Sequence, residues 1–162
     1  MPDNATLRFG LVGTGYWARE THAAGIAAAR GATLAAVWGR DHAAATALAA
    51  TYGSVVHDDF DAFLAEVDAV SFAVPPDVQP ALALRAAAAG KHLLLEKPLA
   101  LDEADADRLV EAVESSGVAA LVFFTHLFSP PSASWFEACD ADPWLGGEAY
   151  WLGSALTDEN PF

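Results

Sequence analysis

The sequence has little positive charge and almost no sulfur. Eight Lys and Arg stand against 22 Asp and Glu, a formal net charge of −14. Binding to nucleic acid needs clustered cations that displace counterions from phosphates, so no nucleic-acid partner is expected. The acidity reads as a solvated surface. The one cysteine, Cys139, has no internal partner and no His or Cys at ligand spacing. That excludes an intrachain disulfide, gives no reason to expect a metal site, and suits a reducing compartment. Long apolar runs are lacking too. The longest, GVAALVFF (117–124), is far too short to cross a bilayer. The N-terminus, MPDNATLRFG, lacks the basic start and apolar stretch of a secretory leader. A soluble cytoplasmic protein with no membrane partner is the expectation. Disorder is excluded by a hydrophobic fraction of 54% against 19% charge, enough for a sizeable core.

What is present is an alternation. Short, almost wholly apolar runs at Leu7–Val12, Thr33–Trp38, Ser54–Val56, Ala69–Val74, His92–Leu95 and Ala119–Phe124 read as strands. Helical patterns lie between them, at Tyr16–Ala29, Asp41–Tyr52, Phe60–Glu66, Val78–Ala89 and Asp102–Ser115. Asp41 and Asp102 stand where N-caps belong, and Gly90 and Gly117 close helices at C′. Apolar strands that alternate with helices predict a parallel sheet covered on both faces, a doubly wound, Rossmann-type α/β domain. This domain is expected over 1–128. A Pro-rich break, a short amphipathic helix and a strand at Glu148–Leu156 follow, and 129–162 is expected to open a second, α+β domain of which this chain holds only the start. Tyr150, Trp151 and Leu152 give that strand an apolar edge able to recruit a second copy, so a homo-oligomer is a possible partner arrangement.

The chemistry-bearing residues fall at strand ends. GLVGTGYWA contains G-x-G-x-x-A as Gly13-Thr14-Gly15-Tyr16-Trp17-Ala18, directly after a strand and opening a helix. A dinucleotide site needs Gly13 for a tight turn, Gly15 for close approach to a pyrophosphate and a small third residue for helix packing. The helix N-terminus supplies free N–H groups for the phosphates. A structural turn and a methyl-donor cofactor site are the competing readings. The second strand ends in Gly39-Arg40-Asp41, where an NAD site usually places an acid. Glycine leaves room for a 2′-phosphate and Arg40 offers paired donors, which favours NADP, with NAD possible. The other reading makes Arg40 a surface side chain and lets Asp41 reach the ribose. The fourth strand stops at Val74, Pro75 and Pro76. On the same sheet edge, Glu96-Lys97-Pro98 follows Leu93–Leu95. A lysine there can hold or protonate a reacting oxygen; equally, Glu96 and Lys97 make a surface ion pair.

GLVGTGYWA, FAVPPD, AAAAGKHLLLEKPLAL and SSGVAALVFFTHLF occur in an order and spacing that resemble the glucose–fructose oxidoreductase/inositol dehydrogenase (Gfo/Idh/MocA) family. The EKP tripeptide is the most specific of these signatures. The resemblance covers essentially the whole chain and implies the N-terminal NAD(P)-binding domain of an oxidoreductase. Such an enzyme transfers hydride between nicotinamide and a hydroxyl-bearing carbon of a sugar, polyol or diol. By resemblance Lys97 is the catalytic lysine that contacts nicotinamide and substrate. Glu96, Val74 and Pro75 touch the cofactor, and a cis Lys97–Pro98 bond is expected. Two departures stand out. Gln79 replaces a histidine contact after the loop proline, and Phe123–Phe128 lacks the family's arginine, leaving His126 as the polar residue there. The family's catalytic Asp and His belong to its second domain, beyond Phe162. Little turnover is therefore expected of this chain, and a non-catalytic NAD(P)-binding or redox-sensing module is the alternative.

Overall fold

The computed structural model describes residues 6–139, together with 148 and 150. The chain divides into two compact units, Met1–Phe124 and Thr125–Phe162. The first holds a six-stranded, all-parallel sheet of β1 (Leu7–Val12), β2 (Ala32–Trp38), β3 (Val55–Val56), β4 (Ala69–Phe72), β5 (His92–Leu95) and β6 (Ala120–Val122), in the order β3-β2-β1-β4-β5-β6. This is the doubly wound arrangement that the sequence predicts. Strand order reverses between β1 and β4, so the C-terminal ends of these two strands flank the crevice where such sheets take ligands.

Alternation along each strand decides which face a residue serves. Leu11 packs with Ile26, Leu34, Val37 and Leu48 on one face, and its neighbour Val12 packs with Phe60, Phe63, Val70 and Phe72 on the other. Both clusters are fully apolar, as a sheet buried on two faces requires. Gly10 on β1 makes room for the Phe63 ring, since a Cβ there would lie 2.3 Å from its Cζ. Arg8 and Asp68 pair at 2.7 Å across the N-terminal ends of β1 and β4.

The helices are α1 (Ala24–Ala28), α2 (His42–Tyr52), α3 (Phe60–Ala65), α4 (Gln79–Ala88), α5 (Glu103–Ser116) and α6 (Pro130–Cys139). Aspartates cap three of them. Asp41, Asp59 and Asp102 accept the N–H groups of Ala44, Ala62 and Asp105 at 3.0, 2.8 and 2.8 Å. Gly117 closes α5 at φ 68°, a left-handed position natural to glycine. The helix that opens at Tyr16 differs from expectation. Its Ala18–Ala23 segment is π-helical before it continues as α1. Such widened turns recur beside functional sites, because they rotate a side chain out of the α-helical register.

In the second unit, a 3₁₀ turn (Thr125–Phe128) precedes α6. The expected strand at Glu148–Leu156, and the apolar edge assigned to it, lie outside the described residues apart from Glu148 and Tyr150. No helix among the described residues is long and apolar enough to cross a membrane.

Candidate functional site

A cleft of about 350 Å³ opens at the C-terminal ends of β1, β2 and β4. Its lining includes Gly13, Thr14, Gly15, Gly39, Arg40, Val74 and Pro75. The glycine loop, the end of β2 and the loop after β4 therefore meet in one place, as the sequence anticipates. Tyr16 and Trp17 follow on the first helical turn, where N–H groups have no intrahelical acceptor.

The two motif glycines answer different demands. Gly13 sits at φ +121°, and a Cβ there would lie 2.2 Å from the Ala73 carbonyl oxygen. The turn can pass β4 only without a side chain. At Gly15 a Cβ would meet nothing within 4 Å. Nothing in the protein demands glycine there, whereas a pyrophosphate approaching the helix N-terminus does. Ala18, the third small residue, is completely buried against the sheet. Arg19 braces the loop by donating to the Thr14 carbonyl at 3.3 Å. An open cradle, a small third residue and free N–H groups together fit a dinucleotide.

At the end of β2 the structure modifies two expectations. A Cβ on Gly39 would lie 2.7 Å from Thr14 Cγ2, so the space beside Gly39 is taken by the Thr14 methyl rather than left open. Arg40 is exposed on the cleft wall. Asp41 spends its Oδ1 on the Ala44 N–H as an N-cap, which weakens the reading in which it reaches a ribose.

The Glu96-Lys97-Pro98 turn ends β5, one strand beyond β4. Lys97–Pro98 is cis. Lys97 is exposed, whereas Glu96 is buried with its carboxylate turned inward. Glu96 Oε1 accepts the Trp17 indole N–H at 2.7 Å and lies 3.0 Å from His22 Nε2. Its Oε2 accepts the Lys97 backbone N–H at 3.1 Å. That carboxylate is thus not the half of a surface ion pair that spacing allows. Trp17 commits its indole N–H to this cluster, while its backbone N–H stays on the first helical turn at the cleft.

Gln79 also departs from its expected role. It does not reach into the cleft. Its side chain is fully buried, takes the Glu96 N–H at 2.8 Å, and donates to the carbonyls of Glu96 and Leu99 at 2.8 and 3.1 Å. A primary amide can do this because it offers donors and acceptor on one flat group. The sequence reading missed His22 and Ser71 altogether. His22 Nδ1 lies 2.7 Å from Ser71 Oγ on β4, and its ring meets Phe123 edge-on at 5.6 Å. The only available signal was a polar residue on the apolar side of a helix. Among the described residues no His, Cys, Asp and Glu cluster could hold a metal ion.

Comparison with known proteins agrees with the fold and gives the family. The Gfo/Idh/MocA model, described as an oxidoreductase family with an NAD-binding Rossmann fold, matches residues 7–124. The inositol 2-dehydrogenase of Rhizobium meliloti (strain 1021) is 35% identical over 127 residues, which is 77% of this chain and 38% of that protein. The structure of UDP-N-acetylglucosamine 3-dehydrogenase GnnA from Acidithiobacillus ferrooxidans superposes with a TM-score of 0.76 at 32% identity, covering 82% of this chain and 43% of that one. The WlbA dehydrogenase of Bordetella pertussis, solved with NADH and UDP-GlcNAcA, gives 0.76 at 29% identity over 83% of this chain and 42% of its own. The chain spans well under half the length of these relatives.

Proposed function

The chain belongs to the Gfo/Idh/MocA oxidoreductase family, and on that premise we propose that it is the nucleotide-binding half of an NAD(P)-dependent dehydrogenase acting on a sugar, polyol or diol. Gly13, Thr14 and Gly15, with the N–H groups of Tyr16 and Trp17, hold the pyrophosphate. Val74 and Pro75 form the wall on the β4 side. Arg40 takes the 2′-phosphate, so NADP is the preferred cofactor. Nicotinamide, when bound, supplies the hydride chemistry. Lys97 hydrogen-bonds the oxygen on the reacting carbon and exchanges a proton with it, the electrostatic help a developing alkoxide needs. Glu96 holds the turn from which Lys97 projects.

The observation that carries this reading is the open space at Gly15 in a cleft that Arg40 also lines, with β5, the strand paired to β4, ending in Glu96-Lys97. Fluorescence titration with NADPH and NADH tests it. The wild-type chain should bind NADPH more tightly. Arg40→Ala should weaken NADPH by about tenfold while moving NADH little, since a charge-assisted contact to phosphate is lost. Wild-type affinity for NADH equal to or above that for NADPH refutes the role given to Arg40. Binding of the dinucleotide without oxidation of polyols by residues 1–162 is the expected behaviour of this half.

A further inference from the structure

Four polar side chains are buried among the described residues: His22, Ser71, Gln79 and Glu96. They form one hydrogen-bonded chain that meets at Glu96, the residue before Lys97. Burying polar groups is costly unless each finds a partner, and a leucine at position 22 would fill comparable space without that cost. The cluster therefore calls for a purpose beyond packing.

The hydrogen-bond directions follow from chemistry. An ionised Glu96 only accepts, so His22 Nε2 carries its hydrogen and Nδ1 accepts from the Ser71 hydroxyl. Burial pushes the imidazole below its usual pKa, against the pull of Glu96, which agrees with a neutral ring. Two donors from one helix, Trp17 and His22, converge on Glu96 Oε1, and Oε2 holds the Lys97 N–H. The carboxylate is fixed from both ends. Ser71, on the strand between β1 and β5, fixes the imidazole in turn.

We propose that His22 is a positioning residue for Lys97: through Glu96 it sets the turn that aims the lysine at the nicotinamide end of the cleft. The proposal rests on the reading of the cleft as a dinucleotide site. The π-helical segment has a purpose on this account, because His22 within it reaches Ser71 on β4 and Glu96 at the end of β5.

The test separates the nicotinamide from the rest of the cofactor. Dissociation constants of the 162-residue chain are measured for NADPH and for 2′-phospho-ADP-ribose, the same molecule without its nicotinamide. His22→Leu should weaken NADPH by about tenfold, the effect of one unsatisfied buried partner, and leave 2′-phospho-ADP-ribose within about twofold. His22→Gln, which can donate to Glu96 and accept from Ser71, should restore most of the difference. A purely structural role for His22 would weaken both ligands together. Should His22→Leu fail to fold, Ser71→Ala removes one hydroxyl and should still weaken NADPH selectively. Unchanged NADPH affinity in both variants, or equal loss for both ligands, overturns the proposal. Wild-type chain that binds neither ligand overturns the reading of the cleft and the proposal with it, whereas equal wild-type binding of the two leaves no nicotinamide contact for His22 to set and overturns the proposal alone.

Discussion

Gly13 and Gly15 are two residues apart in one motif, yet they do separable work. At Gly13 the obstacle to a side chain is the Ala73 carbonyl, a backbone group that cannot rotate away. The positive φ adds strain for any L-residue. Gly13→Ala should therefore cost about 2 kcal/mol or more of folding stability. At Gly15 a methyl group meets only open space. Gly15→Ala should leave the melting temperature within about 2 °C, yet weaken NADPH by about tenfold because the methyl stands where the pyrophosphate approaches. Thermal melts and ligand titrations of the two variants check this division. Comparable destabilisation by both substitutions would show that the second glycine serves the fold.

At the scale of elements, the caps are the most legible feature. Asp41 and Asp102 are readable as N-caps because each stands at the head of a helical pattern, Asp102 with further acids in the first turn where the helix dipole favours them, and both bind the expected N–H group. Asp102→Ala should cost about 1 kcal/mol in urea denaturation, with a loss under about 0.3 kcal/mol telling against the cap. Strand positions are also legible from local pattern: β1 and β5 lie where mostly apolar runs place them, despite Arg8 and His92, and β6 is only trimmed at its ends. The π-helical segment is not legible, since its six residues, ARETHA, hold only two apolar side chains, too few to show a period. Nor is the direction in which Gln79 or Trp17 points. Both sit beside the cleft in sequence, yet each is drawn inward by a partner at least 17 residues away in the chain, Glu96. Long-range hydrogen bonds of this kind leave no periodic trace.

For the molecule as a whole, the buried polar cluster has a consequence for stability against pH. The His22 side chain is wholly buried, and Glu96, Ser71, the Trp17 indole and Phe123 surround it. Burial lowers its pKa in the folded state from the ordinary 6.5. As pH falls through 6.5, the unfolded chain takes up a proton that the folded chain refuses. The unfolded state then binds more protons, so stability declines with falling pH until the folded pKa is reached. Well above 6.5 the imidazole contributes no slope. Asp68 acts in the same direction but lower: Arg8 holds its carboxyl below the usual 3.8, so that loss begins only in more acidic solution. Between pH 8 and 5 the difference between wild-type and His22→Gln urea-unfolding free energies isolates the imidazole. That difference should be flat from pH 8 to 7, then move against the wild type by up to about 1.4 kcal/mol per pH unit below 6.5. Parallel profiles across the whole range would mean that His22 takes its proton as readily folded as unfolded, and that the neutral ring bridging Ser71 and Glu96 is not the state that holds the lysine turn.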